Sequence, residues 1–314
     1  MHQLLHPLIC IVGPTASGKT DLAQACAESL DAAILSADSM QVYKGMDIGT
    51  GKIAPEERSV TYYGLDLIEP GQPYSASLFQ SYGRDLVEQR DVQGGRTIVC
   101  GGTGFYIRAL IDDFVFPKGE QLANPIREYY TRFVEEKGVD ALWEELNRSD
   151  PQSAAVISRN DTKRIIRAFE MLDEGVHYAD QKEQFAHIEP YYQTVQIGLS
   201  VDAEVLNERI NRRVDNMLAA GLIDEVKALL DAGYENAITA SQAIGYKEFV
   251  PYLRGECSLE EAAEQVKLST RRYAKRQRSW FRRDMRIHWL DATTADADVL
   301  LRDALSIIRG ASHA

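Results

Sequence analysis

Four cysteines in 314 residues, no two at a metal-ligand spacing, leave neither a disulfide scaffold nor a zinc site to build. Cys10, Cys26, Cys100 and Cys257 read as reduced, mostly buried thiols. No apolar run reaches the roughly 18 residues of a membrane-spanning helix, so no membrane partner is expected. The opening MHQLLHP lacks a basic start and a small-residue cleavage site, which makes a cytoplasmic location the expectation. Basic charge is also short: 35 Lys and Arg face 47 Asp and Glu, a net charge of −12. Such a chain repels nucleic acid, so any contact with it must come from a local basic patch. Repeats and low-complexity tracts are missing too. What remains is a 45% hydrophobic chain, ample for a large core, with a length that suggests about two domains.

One stretch near the start carries the clearest chemistry. Gly13-Pro14-Thr15-Ala16-Ser17-Gly18-Lys19-Thr20 fits the pattern Gly, four residues, Gly-Lys-Ser/Thr. An apolar segment, Leu8–Val12, precedes it and a helix-forming segment from Asp21 follows. That strand–loop–helix context suits a phosphate-binding loop, in which backbone N–H groups at a helix N-terminus form a nest for phosphate oxygens. Lys19 adds a point charge, and Thr20 offers a hydroxyl to Mg²⁺.

Residues 1–116 alternate short apolar runs with helical segments, the signature of βαβ units. Strands are expected at 8–12, 32–37, 65–68 and 97–100. An amphipathic helix is expected over 75–90, with Leu78, Phe79, Tyr82, Leu86 and Val87 on one side. Asp38 and Gly101-Gly102-Thr103-Gly104 follow strands, and with the phosphate loop they should face one crevice at the carboxyl ends of the sheet. From about 118 to 189 the texture turns helical, including 124–147 and a helix over 161–172 capped by Asn160 or Asp161. Strand character returns at 194–199, followed by helices, and the tail over 292–314 reads as a surface helix with a frayed end. The expected fold is therefore α/β: a P-loop-type parallel sheet flanked by helices, with a mostly helical insertion domain. The expected divisions are 1–117, 118–189 and 190–314.

Two further features limit the function. Residues 267–286, KLSTRRYAKRQRSWFRRDMR, hold nine Lys and Arg against the single acid Asp284. Arg271, Lys275, Arg278 and Arg282 share one helical stripe, while Val266, Tyr273 and Trp280 mark a second that can pack inward. The run reads as a phosphate-backbone platform. The strand over 97–100 ends in Gly-Gly-Thr, without the aspartate that nucleoside triphosphatases place there. The carboxylate instead follows the second strand, as Asp38. It can serve as an outer metal ligand or as a base for an acceptor group. Three classes stand at this point: a small-molecule kinase, a transferase passing a diphosphate donor's remaining group to nucleic acid, and an RNA-binding module with a vestigial loop. The intact Lys19-Thr20 pair and Asp38 speak against the last, and the basic run against the first.

Taken together and in order, the motifs resemble the bacterial tRNA dimethylallyltransferases. The resemblance runs through the phosphate loop, DSMQVYKGMDIGT from Asp38 to Thr50, GGTG from Gly101, DTKRIIRA from Asp161, QAIGYK from Gln242 and YAKRQ from Tyr273. It implies transfer of a dimethylallyl group from dimethylallyl diphosphate to the exocyclic amine of the adenosine 3′ of the anticodon, in tRNAs reading codons that begin with U. Diphosphate is released, and Mg²⁺ is the implied cofactor, held by Thr20 with the donor. The resemblance makes Gly13–Thr20 the donor diphosphate site and Asp38, Thr103 and Arg213 the catalytic residues. Asp38 would accept the amine proton, Thr103 would lie beside the target nucleotide, and Arg213 would support the departing diphosphate. Implied tRNA contacts are Asp38, Ser39, Met40 and Gln41; Lys163, Arg164, Ile165, Ile166 and Arg167; Gln242, Ala243, Ile244, Gly245, Tyr246 and Lys247; and Lys275, Arg276, Gln277, Arg278, Ser279, Trp280, Phe281 and Arg282. The chain departs from the family pattern at Glu174–Ala179 and at Arg278-Ser279. His177 and His187 read as surface residues, and a monomer suffices.

Overall fold

The computed structural model describes residues 2–116, 124–187, 189–233, 237 and 239–311. They form two compact units: one runs to Asp112 and resumes at Pro190, and the other is Asp113–Glu189. The first unit holds a parallel sheet of β1 (Leu8–Val12), β2 (Ala32–Ser36), β3 (Tyr62–Tyr63), β4 (Arg96–Gly101), β5 (Thr194–Ser200) and β6 (Ile287–Asp291). The strand order is β3-β2-β4-β1-β5-β6. The LICIV run of β1 is buried throughout because β1 is central and covered on both faces. Its side chains alternate. Ile9 and Ile11 join a core with α1 (Lys19–Leu30), whereas Leu8, Cys10 and Val12 join another with α2 (Ala76–Val92) and α3 (Gly104–Ile111).

The second unit is helical: α4 (Pro125–Lys137), α5 (Val139–Ser149), α6 (Pro151–Val156), α7 (Thr162–Asp173) and α8 (Tyr178–Ala186). Its core is local, built on Leu142, Leu146, Ile165, Ile166 and Phe169. The first unit then continues with α9 (Ala203–Ala219), α10 (Leu222–Asp231), α11 (Val250–Leu253), α12 (Leu259–Phe281) and α13 (Ala297–Ala311). A third apolar cluster joins the 42–46 segment to α9, α10, α12 and Tyr246.

Several expectations change. The strand placed at 65–68 is β3 instead, at Tyr62–Tyr63. Gly64 and Asp66, at φ +80 and +54, turn the chain away, and Ile68 bridges only Tyr43. Leu78 lies on the outer side of α2, 49% exposed. The helical segment over 124–147 is made of two helices that meet at Gly138. The basic run is not one helix: α12 ends at Phe281 and the chain re-enters the sheet as β6. The tail helix α13 buries Ala304 and Ile308 in the core on the α1 face, and residues 312–314 lie outside the described residues. The division placed between 117 and 118 falls there too. No helix among the described residues is long and apolar enough to cross a membrane.

Candidate active site

Parallel neighbours in the sheet bring distant residues together at their carboxyl ends. β1 lies beside β4, and β4 beside β2, so the loops after all three open on one side. The loop after β1 enters α1 through Gly18, whose φ of +88 is the left-handed region that favours glycine. Lys19 lies in the first turn, and its Nζ donates to Pro14 O at 3.3 Å. Burial lowers the Lys19 pKa, Arg213 lowers it further, and Cys100 and Asp38 act against both. Ser17 is buried, and its Oγ has no hydrogen-bond partner among the described residues. Burial pushes the neighbouring Cys100 thiol up to about 11, which keeps it protonated.

Asp38 follows β2. Its Oδ1 accepts the Met40 N–H at 2.9 Å, an Asx turn that fixes the carboxylate. Thr103 N donates to Ala37 O at 3.2 Å, and Ser39 N donates to Thr103 Oγ1 at 3.1 Å, so Thr103 stands directly behind Ser39. The GGTG turn is glycine for space. A Cβ on Gly101 would lie 2.2 Å from Ala37 O, on Gly102 2.2 Å from Gln277 Nε2, and on Gly104 2.1 Å from the Trp280 ring. These glycines let β2 and α12 close on the turn rather than cradle a phosphate.

Arg213, on α9, donates to Thr50 O at 3.2 Å. Burial lowers its pKa, and Asp38 and Asp21 oppose that. The Thr50 segment is itself held by Glu225 of α10. That carboxylate accepts the N–H groups of Asp47 at 3.0 Å, Ile48 at 2.8 Å and Gly49 at 3.0 Å, and the Tyr246 hydroxyl at 2.7 Å. Sequence reasoning passed over Glu225 because an acid on an amphipathic helix reads as solvated. The available signal was the consecutive N–H groups of a glycine-containing loop, which need an acceptor.

Several of these groups line a cavity of about 310 Å³, while Thr103 and Glu225 stand behind its lining residues Ser39 and Gly49. Thr15, Lys19, Thr20, Asp38 and Arg213 form its polar side, and Ile53, Val214, Met217, Ile244 and Val266 much of its apolar side. Gln242, Lys247 and Arg276 also line it, together with Tyr273, whose phenol is pushed up to about 12 chiefly by burial. A second space of about 740 Å³ lies against Ala16, Gly18, Arg58, Arg209 and Arg212, and shares Gly51, Ile53, Arg213 and Met217 with the first.

The implied RNA contacts divide by burial. In α12, Lys275, Arg276, Ser279 and Trp280 are exposed and Arg278 is half-buried, as is the stripe member Arg271; Arg282 is exposed just beyond the helix end. Gln277 and Phe281 are buried instead, Gln277 facing the cavity rather than the outer side of the helix. Of the QAIGYK residues, Gln242 and Lys247 are exposed and Ile244 is half-buried, whereas Ala243, Gly245 and Tyr246 are buried. Gln41 is committed locally, accepting from Ser36 Oγ at 2.8 Å. Within the helical unit Lys163 and Arg164 are exposed, Arg164 pairing with Asp161 at 2.8 Å. Ile165 and Ile166 are core residues there, since the apolar stripe of α7 faces inward, and their expected role at the RNA is corrected. Arg167 is tied to the buried Glu170 at 3.1 Å. His177 Nδ1 lies 3.1 Å from Asp150 Oδ2, and His187 is exposed.

A parallel sheet with a phosphate loop after its first strand, facing a carboxylate and an arginine across a small cavity, defines a P-loop-type enzyme that handles a diphosphate or longer phosphate chain. The sequence model described as "IPP transferase" matches residues 41–284, and one described as "Isopentenyl transferase" matches residues 6–63. A "tRNA dimethylallyltransferase" of Carboxydothermus hydrogenoformans is 45% identical over 91% of this chain and 92% of its own length. One of Bacillus subtilis is 40% identical over 99% of both. Among solved structures, a tRNA isopentenylpyrophosphate transferase of Staphylococcus epidermidis superposes with a TM-score of 0.71 at 37% identity, over 97% of this chain and 99% of the other. A eukaryotic dimethylallyltransferase described as acting on tRNA superposes with a TM-score of 0.75 at 28% identity, over 92% of this chain and 74% of the other. The chain belongs to the IPP transferase family.

Proposed function

We propose that the chain transfers the dimethylallyl group of dimethylallyl diphosphate to the exocyclic amine of the adenosine 3′ of the anticodon, in tRNAs reading codons that begin with U. The observation that carries this reading is one cavity onto which Lys19 of the phosphate loop, the Asp38 carboxylate, an apolar wall and Arg276 of the cationic helix α12 all open. In this reading the backbone N–H groups of Ala16–Thr20 and the Lys19 amine hold the diphosphate. The five-carbon group lies along the apolar wall. The adenine, extruded from its stack, enters from the α12 side.

Bond formation joins the amine nitrogen to the allylic carbon as the bond from that carbon to the diphosphate oxygen breaks. Asp38 takes the amine proton, which an aromatic amine must lose. Lys19 and Arg213 receive the charge that grows on the leaving diphosphate in a site partly shielded from water, where such stabilisation is strongest. Thr103 supports the strand-end turn beside the base.

Mg²⁺ is part of the proposal. No group of three or more His, Cys, Asp or Glu is arranged to hold a metal among the described residues. Thr20 and Asp38 supply hard oxygen donors on one cavity wall, which fits an ion arriving with the diphosphate and keeping some of its water. When bound, it would neutralise diphosphate charge. We also place the enzyme in the cytoplasm as a monomer. The test offers tRNA, AMP and ATP in turn to the protein with labelled dimethylallyl diphosphate and Mg²⁺. Label entering tRNA alone supports the reading. Label entering AMP moves it to a free-nucleotide transferase, and phosphate transfer from ATP restores a kinase.

A further inference from the structure

We propose that Gln277 is a positioning residue that couples RNA bound along α12 to the phosphate loop. The proposal rests on the functional reading above. Gln277 stands between Arg276 and Arg278 in the most cationic helix of the chain, yet its side chain points inward and is buried. Both ends of its amide are used, in different directions. Oε1 accepts the Thr15 N–H of the phosphate loop at 2.9 Å. Nε2 donates to Gly102 O of the turn carrying Thr103, also at 2.9 Å. The fit at Gly102 leaves no room for a Cβ, which would fall 2.2 Å from Nε2. One helical turn earlier, Tyr273 lines the same cavity as Gln277.

A single uncharged amide thus bridges the loop that would hold the donor and the turn beside the acceptor base. It is mounted on the helix whose exposed flanks, Lys275 and Arg276, would meet the RNA backbone. Its helix is stiff at the N-terminal end, where Ser258 and Glu261 form a capping box. No soft segment separates Gln277 from Thr15, so a shift of α12 on RNA docking reaches the phosphate loop through one hydrogen bond. Coupling of this kind is reciprocal: RNA tightens diphosphate binding by the factor with which diphosphate tightens RNA binding.

The experiment measures the affinity of inorganic diphosphate with Mg²⁺ by titration calorimetry, with and without a saturating adenosine-bearing anticodon stem-loop. The wild-type ratio of the two affinities is expected on the order of 5- to 100-fold. In Gln277→Met, of similar length but without the amide, the ratio falls towards one. Gln277→Asn, one methylene too short to span both loops, does the same and serves if the first variant folds poorly. A merely structural role would lower the melting temperature and both affinities while leaving their ratio unchanged. An unchanged ratio in a folded variant, or a wild-type ratio of one, overturns the proposal while tRNA labelling stands. Wild-type protein that binds diphosphate but no stem-loop sinks the functional reading and the coupling together.

Discussion

Asp38 is held by one oxygen. Met40 N–H occupies Oδ1, and no other hydrogen bond to the carboxylate is seen among the described residues. Asp38→Asn keeps an acceptor for that N–H and removes only the base. Turnover should then fall by roughly 10²-fold or more while stem-loop affinity holds; single-turnover label transfer beside a binding assay checks this, and near-normal turnover removes the base assignment. Lys19 gives a pH prediction. Its pKa is lowered by burial, so in the donor-free protein the amine loses its charge at a lower pH than an exposed lysine. Below the folded pKa the full cost of burying the charge is present. As pH rises through that value the cost is relieved, so apo stability rises while donor affinity falls. The alkaline limb of diphosphate affinity should begin below the ordinary lysine range and vanish in Lys19→Met. A limb that survives in that variant assigns it to another group.

Elements carry what single residues cannot. The exposed and half-exposed cations of α12 should set the salt response. Replacing Arg271, Lys275 and Arg278 with Ala should weaken stem-loop binding and flatten log Kd against log salt by roughly 0.7–0.9 for each phosphate no longer neutralised. An unchanged slope rejects the platform. Glu225 governs the 46–51 segment by accepting three of its N–H groups. Glu225→Gln should cost about 1–3 kcal/mol and speed hydrogen exchange at Asp47, Ile48 and Gly49; protection equal to wild type there would show that the loop holds itself. Elements also show what the sequence made legible. β1, β2 and β4 were readable because central parallel strands are largely apolar runs, and β5 from the alternation of Val195, Ile197 and Leu199. β6 was hidden, since IHWLD exposes His288 and Trp289 at a sheet edge directly after a basic helix. Asp38 and the phosphate loop were readable because strand ends and glycine spacing are local signals. The buried role of Gln277 and the acceptor role of Glu225 were not, because each depends on a loop far away in the chain.

At the scale of the molecule, the two units respond to pH separately. In the helical unit, His177 has a raised pKa because the Asp150 carboxylate lies against its Nδ1 at 3.1 Å. Burial would raise the Asp150 pKa, but the hydrogen bond from Ser153 N and the nearby His177 outweigh it and lower it. The His177 contribution is fully present below the unfolded histidine value and is lost as pH rises through the raised folded value. The Asp150 contribution is present above the unfolded carboxylate value and is lost as pH falls through the lowered one. Hydrogen exchange in α6 and α8 should therefore speed up as pH rises from the ordinary histidine range through the raised His177 value, beyond its intrinsic pH dependence. His177→Gln should remove that extra change, and an identical profile in the variant would detach the pair from the unit's stability.

The strand order has a consequence for how the protein is made. β1 leaves the ribosome early but sits between β4 and β5, and β5 begins only at Thr194. The central strand therefore waits for one flank while the whole helical unit, whose core is local in sequence, is synthesised. Until β5 arrives, β1 shows an apolar, unpaired edge of the kind that invites misassembly, and β6 then covers the outer edge of β5. The insert thus acts as a timer in the nascent chain. Its length sets the interval during which that edge of the strand carrying the phosphate loop stays unpaired.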